Sequence, residues 1–114
     1  MKMYKIMRVR SDGMLYSIGV NRNKPYDIDE WYTAEHIVSR KYKTKKGFYG
    51  FEKPDNERYK TTLQRGDRRI WVECEVEDYE FYHHVMDGAT WVIAQRMRMI
   101  RALSDRDVAK IISG

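Results

Sequence analysis

At 114 residues and 13.8 kDa the chain has room for one domain with its own core, and 42% hydrophobic against 34% charged residues excludes a disordered class. A formal charge of +5 and a pI of 9.3 favour polyanionic partners, because each phosphate neutralised by Lys or Arg releases counterions, although plain solubility accounts for the same surplus. A single cysteine, Cys74, excludes an internal disulfide and a cysteine-rich metal site, and no apolar run reaches the length of a signal peptide or a membrane span. The expectation is one domain over 1–114, located in the cytoplasm and without a membrane partner.

The first run, "MYKIMRVRSDGMLYSIGV" at 3–20, reads as a hairpin whose turn is Ser11, Asp12 and Gly13, with Gly13 supplying a left-handed conformation. "NRNKPYD" at 21–27 is polar and contains Pro25, which predicts a loop. From 27 to 42 the pattern leaves two states open. Ile28, Trp31, Tyr32 and Glu35 suit a short helix capped by Asp27 or Asp29, and the β-branched and aromatic content suits strands.

"IWVECEV" at 70–76 alternates, with Ile70, Val72, Cys74 and Val76 on one face and Trp71, Glu73 and Glu75 on the other, so it is the clearest strand. Gly66 and Asp67 suit the turn before it. "EDYEFYHHVMDG", after it, is expected to be a loop or a helical turn. "ATWVIAQRMRMIRAL" at 89–103 predicts another strand, with Met97 and Met99 opposed to Arg96 and Arg98. Its basic face suits Glu73 and Glu75 across the sheet, or forms a functional basic ridge. "LSDRDVAKIISG" closes the chain as an amphipathic helix capped by Ser104, with Asp107 three residues on and Gly114 at its end; Val108, Ile111 and Ile112 are expected to dock on the sheet. The whole is an α+β domain, a twisted and mainly antiparallel sheet with few short helices and a C-terminal helix.

Chemistry-bearing constellations are few. His36, His83 and His84 with one cysteine show no zinc-ligand spacing, and adjacent strand histidines point apart. Cys74 falls on the inward face of its strand, where a thiol is an inert small hydrophobe. "GFYG" at 47–50 lacks the Lys-Ser/Thr of a phosphate loop. The run "RKYKTKK" at 40–46 is more informative, since Tyr42 interrupts the cations and Phe48, Tyr49 and Phe51 follow them. Cations that track phosphates beside rings that stack on bases suit a single-stranded nucleic acid, while a solvated loop ahead of a core strand accounts for the same residues.

"KKGFYGFEKPDNERY" followed by "RRIWVECEV" resembles the central motif of diphtheria-toxin-type ADP-ribosyltransferases, in which a Gly-Phe-Tyr segment is followed after about ten residues by a second tyrosine. The resemblance implies that Tyr49 and Tyr59 sandwich the nicotinamide of NAD, that Arg8 holds its phosphate or ribose, and that the fold is a reduced ADP-ribosyltransferase-like one. The chain departs from that family in two places. Tyr4 is followed by Lys5 where the family has histidine, and the later strand carries Gln95 where it has the catalytic glutamate, leaving Glu75 as a stabiliser outside the family order. The whole chain also resembles small phage and prophage proteins, through "YKIMRVRSDGMLYSI", "KGFYGF" and "WVIAQRMRMIRAL", which implies a phage or mobile-element setting and a host-cell cytoplasm.

Two readings of function follow, with a third beside them. The first is a non-enzymatic binding module that engages a host protein or nucleic acid through Lys41, Tyr42, Lys43, Lys45, Lys46, Phe48 and Phe51, with Arg96 and Arg98, and needs no cofactor. The second is an NAD-dependent transferase built on Tyr49, Tyr59, Arg8 and Glu75. The third is a virion or assembly component with Trp71 or Tyr82 as an exposed interface anchor. The oligomeric state is left open, and no metal site is expected.

Overall fold

The computed structural model describes residues 1–17, 24–34, 47–54, 68–83 and 90–114. In chain order these form β1 (Lys2–Val9), β2 (Leu15–Tyr16), β3 (Pro25–Tyr26), β4 (Trp31–Thr33), β5 (Phe48–Gly50), β6 (Arg68–His83), β7 (Thr90–Leu103) and one helix, α1 (Asp105–Ser113). The sheet runs β3-β2-β1-β6-β7-β4, with every pairing antiparallel. This is the mainly antiparallel α+β arrangement that the alternating runs predict.

β5 lies off that path and closes it. One edge pairs with β7, placing Phe48 opposite Ala94 and Gly50 opposite Val92. Beyond its end, Phe51 exchanges two backbone hydrogen bonds with Tyr4 of β1, at 2.7 and 2.8 Å. β1, β6, β7 and β5 therefore form a ring, so the sheet curls into a small barrel with an inside and an outside. "GFYGF" is the staple that joins its two ends.

Inside the ring lie Met3, Met7, Val72, Cys74, Val76, Val92, Ala94, Met97 and Met99. Four methionines in so narrow a space fit a need for unbranched side chains that fill irregular gaps. Between Ala94 and Met97 the parity of the inward residues on β7 changes, and near that point on β6 Asp78 adopts a left-handed conformation, φ 51°. The bend lets β6 run on to His83. The expectation of a loop or helical turn over "EDYEFYHHVMDG" is corrected for 77–83, the part that is described, since one residue in an unusual conformation suffices to continue the strand.

A second cluster covers the outside: Tyr4, Ile6, Phe51, Trp71, Leu103 and Val108, with Trp91 and Ile111 packed against it. α1 supplies Val108 and Ile111. It starts as its sequence predicts, with Asp107 N–H donating to Ser104 Oγ at 3.1 Å and Ser104 N–H donating to Asp107 Oδ2 at 3.0 Å, and Gly114 ends it. Ile112, expected to dock, is exposed. Trp71, offered as an interface anchor, is fully buried beneath α1 and β5. Period-2 alternation separates two faces, and here both are covered.

The first hairpin forms about a turn in which Gly13 has φ 79° and its N–H donates to the Arg10 carbonyl at 2.9 Å. Pro25, expected in a loop, begins β3, and Tyr26 pairs with Leu15. β3 ends the sheet path, and an edge strand tolerates a residue that has no N–H to donate. No helix forms over the described part of 27–42: Asp29 takes φ 68°, its N–H donates to the Met99 carbonyl at 2.8 Å, and β4 follows.

Candidate functional site

The residues expected to act together lie in different places. Lys41, Tyr42, Lys43, Lys45, Lys46 and Tyr59 are outside the described residues, as are His36 and His84. Phe48 faces inward toward Tyr26, with ring centroids 6.5 Å apart, and packs on the barrel core. Phe51 is buried outside the ring against Trp91 and Trp71, at 4.3 and 5.9 Å. Phe51, expected to contact a partner, is buried, and Phe48 is half-buried against the core. Tyr49 points to the outer face beside Trp91, centroids 6.3 Å apart, and is partly exposed. Burial first, then Tyr82 and Glu80, push its hydroxyl above the usual tyrosine value.

Arg8 lies on β1 opposite Arg69 of β6 and Tyr16 of β2, its guanidinium 6.0 Å from the Tyr16 ring. Arg10 stacks closer to that ring, at 4.3 Å, and the Tyr16 hydroxyl bonds Asp12. Glu75 stands on the outer face opposite Arg98, with Oε1 3.2 Å from the amino group of Met1. Cys74 is buried in the ring, and burial pushes its thiol up to about 12, so it stays protonated and unreactive at neutral pH. Among the described residues no three of His, Cys, Asp and Glu come together as a metal site requires.

The outer face of β6, β7 and β4 carries rows fixed by register. Glu75, Arg98 and Trp31 form one row and Glu77, Arg96 and Thr33 the next. Arg96 bonds Glu77, the cross-strand neutralisation that alternating charges predict. Arg98 differs. No carboxylate is bonded to it among the described residues, and its Nε makes no hydrogen bond there. Both guanidiniums lie over the Trp31 indole, Arg96 at 4.8 Å and Arg98 at 5.5 Å from its centroid, and that ring is 37% exposed. An accessible indole flanked by two arginines, on the strand that ends the sheet path, is thus a basic aromatic surface among the described residues. Sequence reading found the arginine stripe but not its aromatic partner, because Trp31 and the stripe are far apart in the chain.

Below that face a buried carboxylate ties β1, β6, β7 and α1. Glu73 is 5% exposed; Lys2 Nζ lies 3.2 Å from its Oε1 and Arg101 Nε 3.0 Å from its Oε2, while Arg101 also reaches Asp107 at 3.7 Å. Burial alone raises the Glu73 carboxyl, but the bonds from Arg101 and Lys2 outweigh it and hold the group below the usual carboxylate range. A depressed folded value adds stability that is fully present above the unfolded value, about 4.3, and is lost as pH falls through the lower folded value. Urea unfolding from pH 6 to pH 3 should therefore show a loss that Glu73→Gln removes, with the substitution itself costing about 1–2 kcal/mol at pH 7, because the partners are half exposed. Equal pH slopes in the two proteins would refute the assignment.

The chain matches no protein-family model, no curated protein and no solved structure. Among the described residues no helix is long and apolar enough to cross a membrane.

Proposed function

We propose that the protein is a binding module for single-stranded nucleic acid, in which a base stacks on Trp31 and phosphates meet Arg98. The observation that carries this reading is the exposed indole with its two arginines, one of which has no carboxylate bonded to it among the described residues. A base has a π-face that an indole accepts whatever its identity, and a guanidinium beside the ring serves the backbone without reading sequence. The net charge of +5, to which Lys41, Lys43, Lys45 and Lys46 contribute, is consistent with such a partner.

Fluorescence anisotropy with labelled single-stranded DNA and RNA oligonucleotides tests the reading. Saturable binding that weakens with salt is expected, and Trp31→Ala should weaken it roughly 5- to 150-fold, as the loss of one stacked base implies. Arg98→Ala should weaken binding less and flatten the salt slope. Absence of saturable binding at low salt would overturn the proposal. Capture of a host protein through an intact Trp31, or NAD titration with shifts centred on Tyr49, would then redirect it to the corresponding alternative.

A further inference from the structure

Among the described residues three exposed rings besides Trp31 stand near the end of β6: Tyr79, Phe81 and Tyr82. Register sorts them onto two faces. Tyr79 pairs with Ala94 and Phe81 with Val92, whose side chains lie inside the ring, so both share that face. Tyr82 alternates with them and pairs with Trp91, which packs on the outer cluster. Tyr49 joins it there: Tyr49 and Glu80 both stand opposite Ile93, and the Tyr49 ring meets Trp91 edge-on. Tyr82 is 45% exposed, more than Trp31, and lies near enough to Tyr49 for charge to be felt between the two hydroxyls.

This outer face is continuous with that of Trp31, which strict alternation would not allow. Trp91 and Ile93 share the odd parity of Met97 and Met99, yet the methionines face inward. The change of parity beside Asp78 therefore puts Trp91, Ile93, Arg96 and Arg98 on one side of β7. Trp31 stands opposite Arg98 and Tyr82 opposite Trp91, seven residues apart along that strand. At about 3.3 Å per residue the span is at most about 23 Å, which holds roughly seven nucleotides at a stacked rise of about 3.4 Å and fewer when the backbone is extended. Carboxylates set the side on which phosphates run. Glu75, Glu77 and Glu80 line β6 along the same face, the first bonded to the Met1 amino group and the second to Arg96. They repel a phosphate chain from β6 and leave it to β7 and β4, where Arg96 and Arg98 stand over Trp31.

We propose that Tyr82, with Tyr49 beside it, is a second base-stacking platform, so that one single strand spans the outer face of β7 from Trp31 to Tyr82. This platform rests on the nucleic-acid reading and deepens it, since the ligand becomes a strand of about four nucleotides or more held at both ends. A phenol ring accepts any base on its face and so adds affinity without reading sequence. Two platforms on one sheet make the second contact intramolecular. Affinity should then rise steeply with length until the strand reaches Tyr82, and little beyond it.

Fluorescence anisotropy of the intact protein with labelled oligothymidylates of about 2–12 nucleotides tests this. Tyr82→Ala should weaken binding of a strand of about eight nucleotides roughly 5- to 150-fold and abolish the gain in affinity between about four and eight. Tyr82→Phe keeps the ring and should bind like the parent, as should Phe81→Ala on the opposite face. Binding of the longer strand that needs Trp31 but is unaltered by Tyr82→Ala, or is weakened as much by Tyr82→Phe or Phe81→Ala, would overturn the second platform and leave the Trp31 site standing. Absence of saturable binding at every length would overturn both.

Discussion

Trp71→Ala is expected to lower the stability of this domain by about 3–5 kcal/mol, the range for deleting a large buried ring, and so to remove a large part of the total for a chain of this size. The indole is fully buried in the outer cluster, between Ile6 and Leu103 along its register row and 5.9 Å from the Phe51 ring. Four elements meet there: β1, β6, β7 and α1, with Phe51 from the β5 end. Removal leaves a cavity that a curled sheet cannot collapse, because its other face is held by the packed methionines. Among the described residues Trp71 Nε1 meets no acceptor, so Trp71→Phe, which loses volume but breaks no hydrogen bond, should cost well under half as much. Urea unfolding of the three proteins with a shared m-value measures both figures. A loss below about 1 kcal/mol for Trp71→Ala would show that α1 does not cover this face as described.

Gly50→Ala should cost about 2–4 kcal/mol through a different route, by opening the ring. A Cβ at Gly50 falls 2.6 Å from Met3 Cγ, 2.8 Å from its Sδ and 2.8 Å from the Tyr4 carbonyl oxygen. The methionine has no free space to move into, and the carbonyl is part of the β1 backbone. β5 must therefore withdraw, and the two Tyr4–Phe51 hydrogen bonds stretch or break. Amide hydrogen exchange at Tyr4 and Phe51 should accelerate more than exchange at the β6–β7 ladder. Equal protection in the variant and the parent, with unchanged stability, would mean that the ends are held without this close approach. Gly47 is constrained as well, with φ 148° and Ile93 Cγ2 2.4 Å from the position of a Cβ, which accounts for both glycines of "GFYG".

The strands of highest regularity were legible because their signals are local. Ile70, Val72, Cys74 and Val76 alternate within one strand, Met97 and Met99 oppose Arg96 and Arg98 within another, and Ser104 with Asp107 caps a helix inside a single turn. Gly13 marked its hairpin for the same reason. The misread segments fail where one residue acts against its surroundings. Asp78 carries β6 through a stretch that reads as a loop, and Pro25 enters a strand that, among the described residues, ends the sheet path.

What the sequence determined by itself is therefore the set of elements that repeat with period 2 or end in a cap, the inward placement of Cys74, and the pairing of acidic with basic stripes. Only the tertiary structure decided that the sheet closes on itself through Phe51 and that Trp71 is buried and Trp31 exposed. The physical reason is that alternation assigns a side chain to a face but not that face to water or core. Coverage of a face depends on which distant segment docks there, and the partners concerned, Tyr4 with Phe51 and Trp31 with Arg98, are brought together only when the sheet curls.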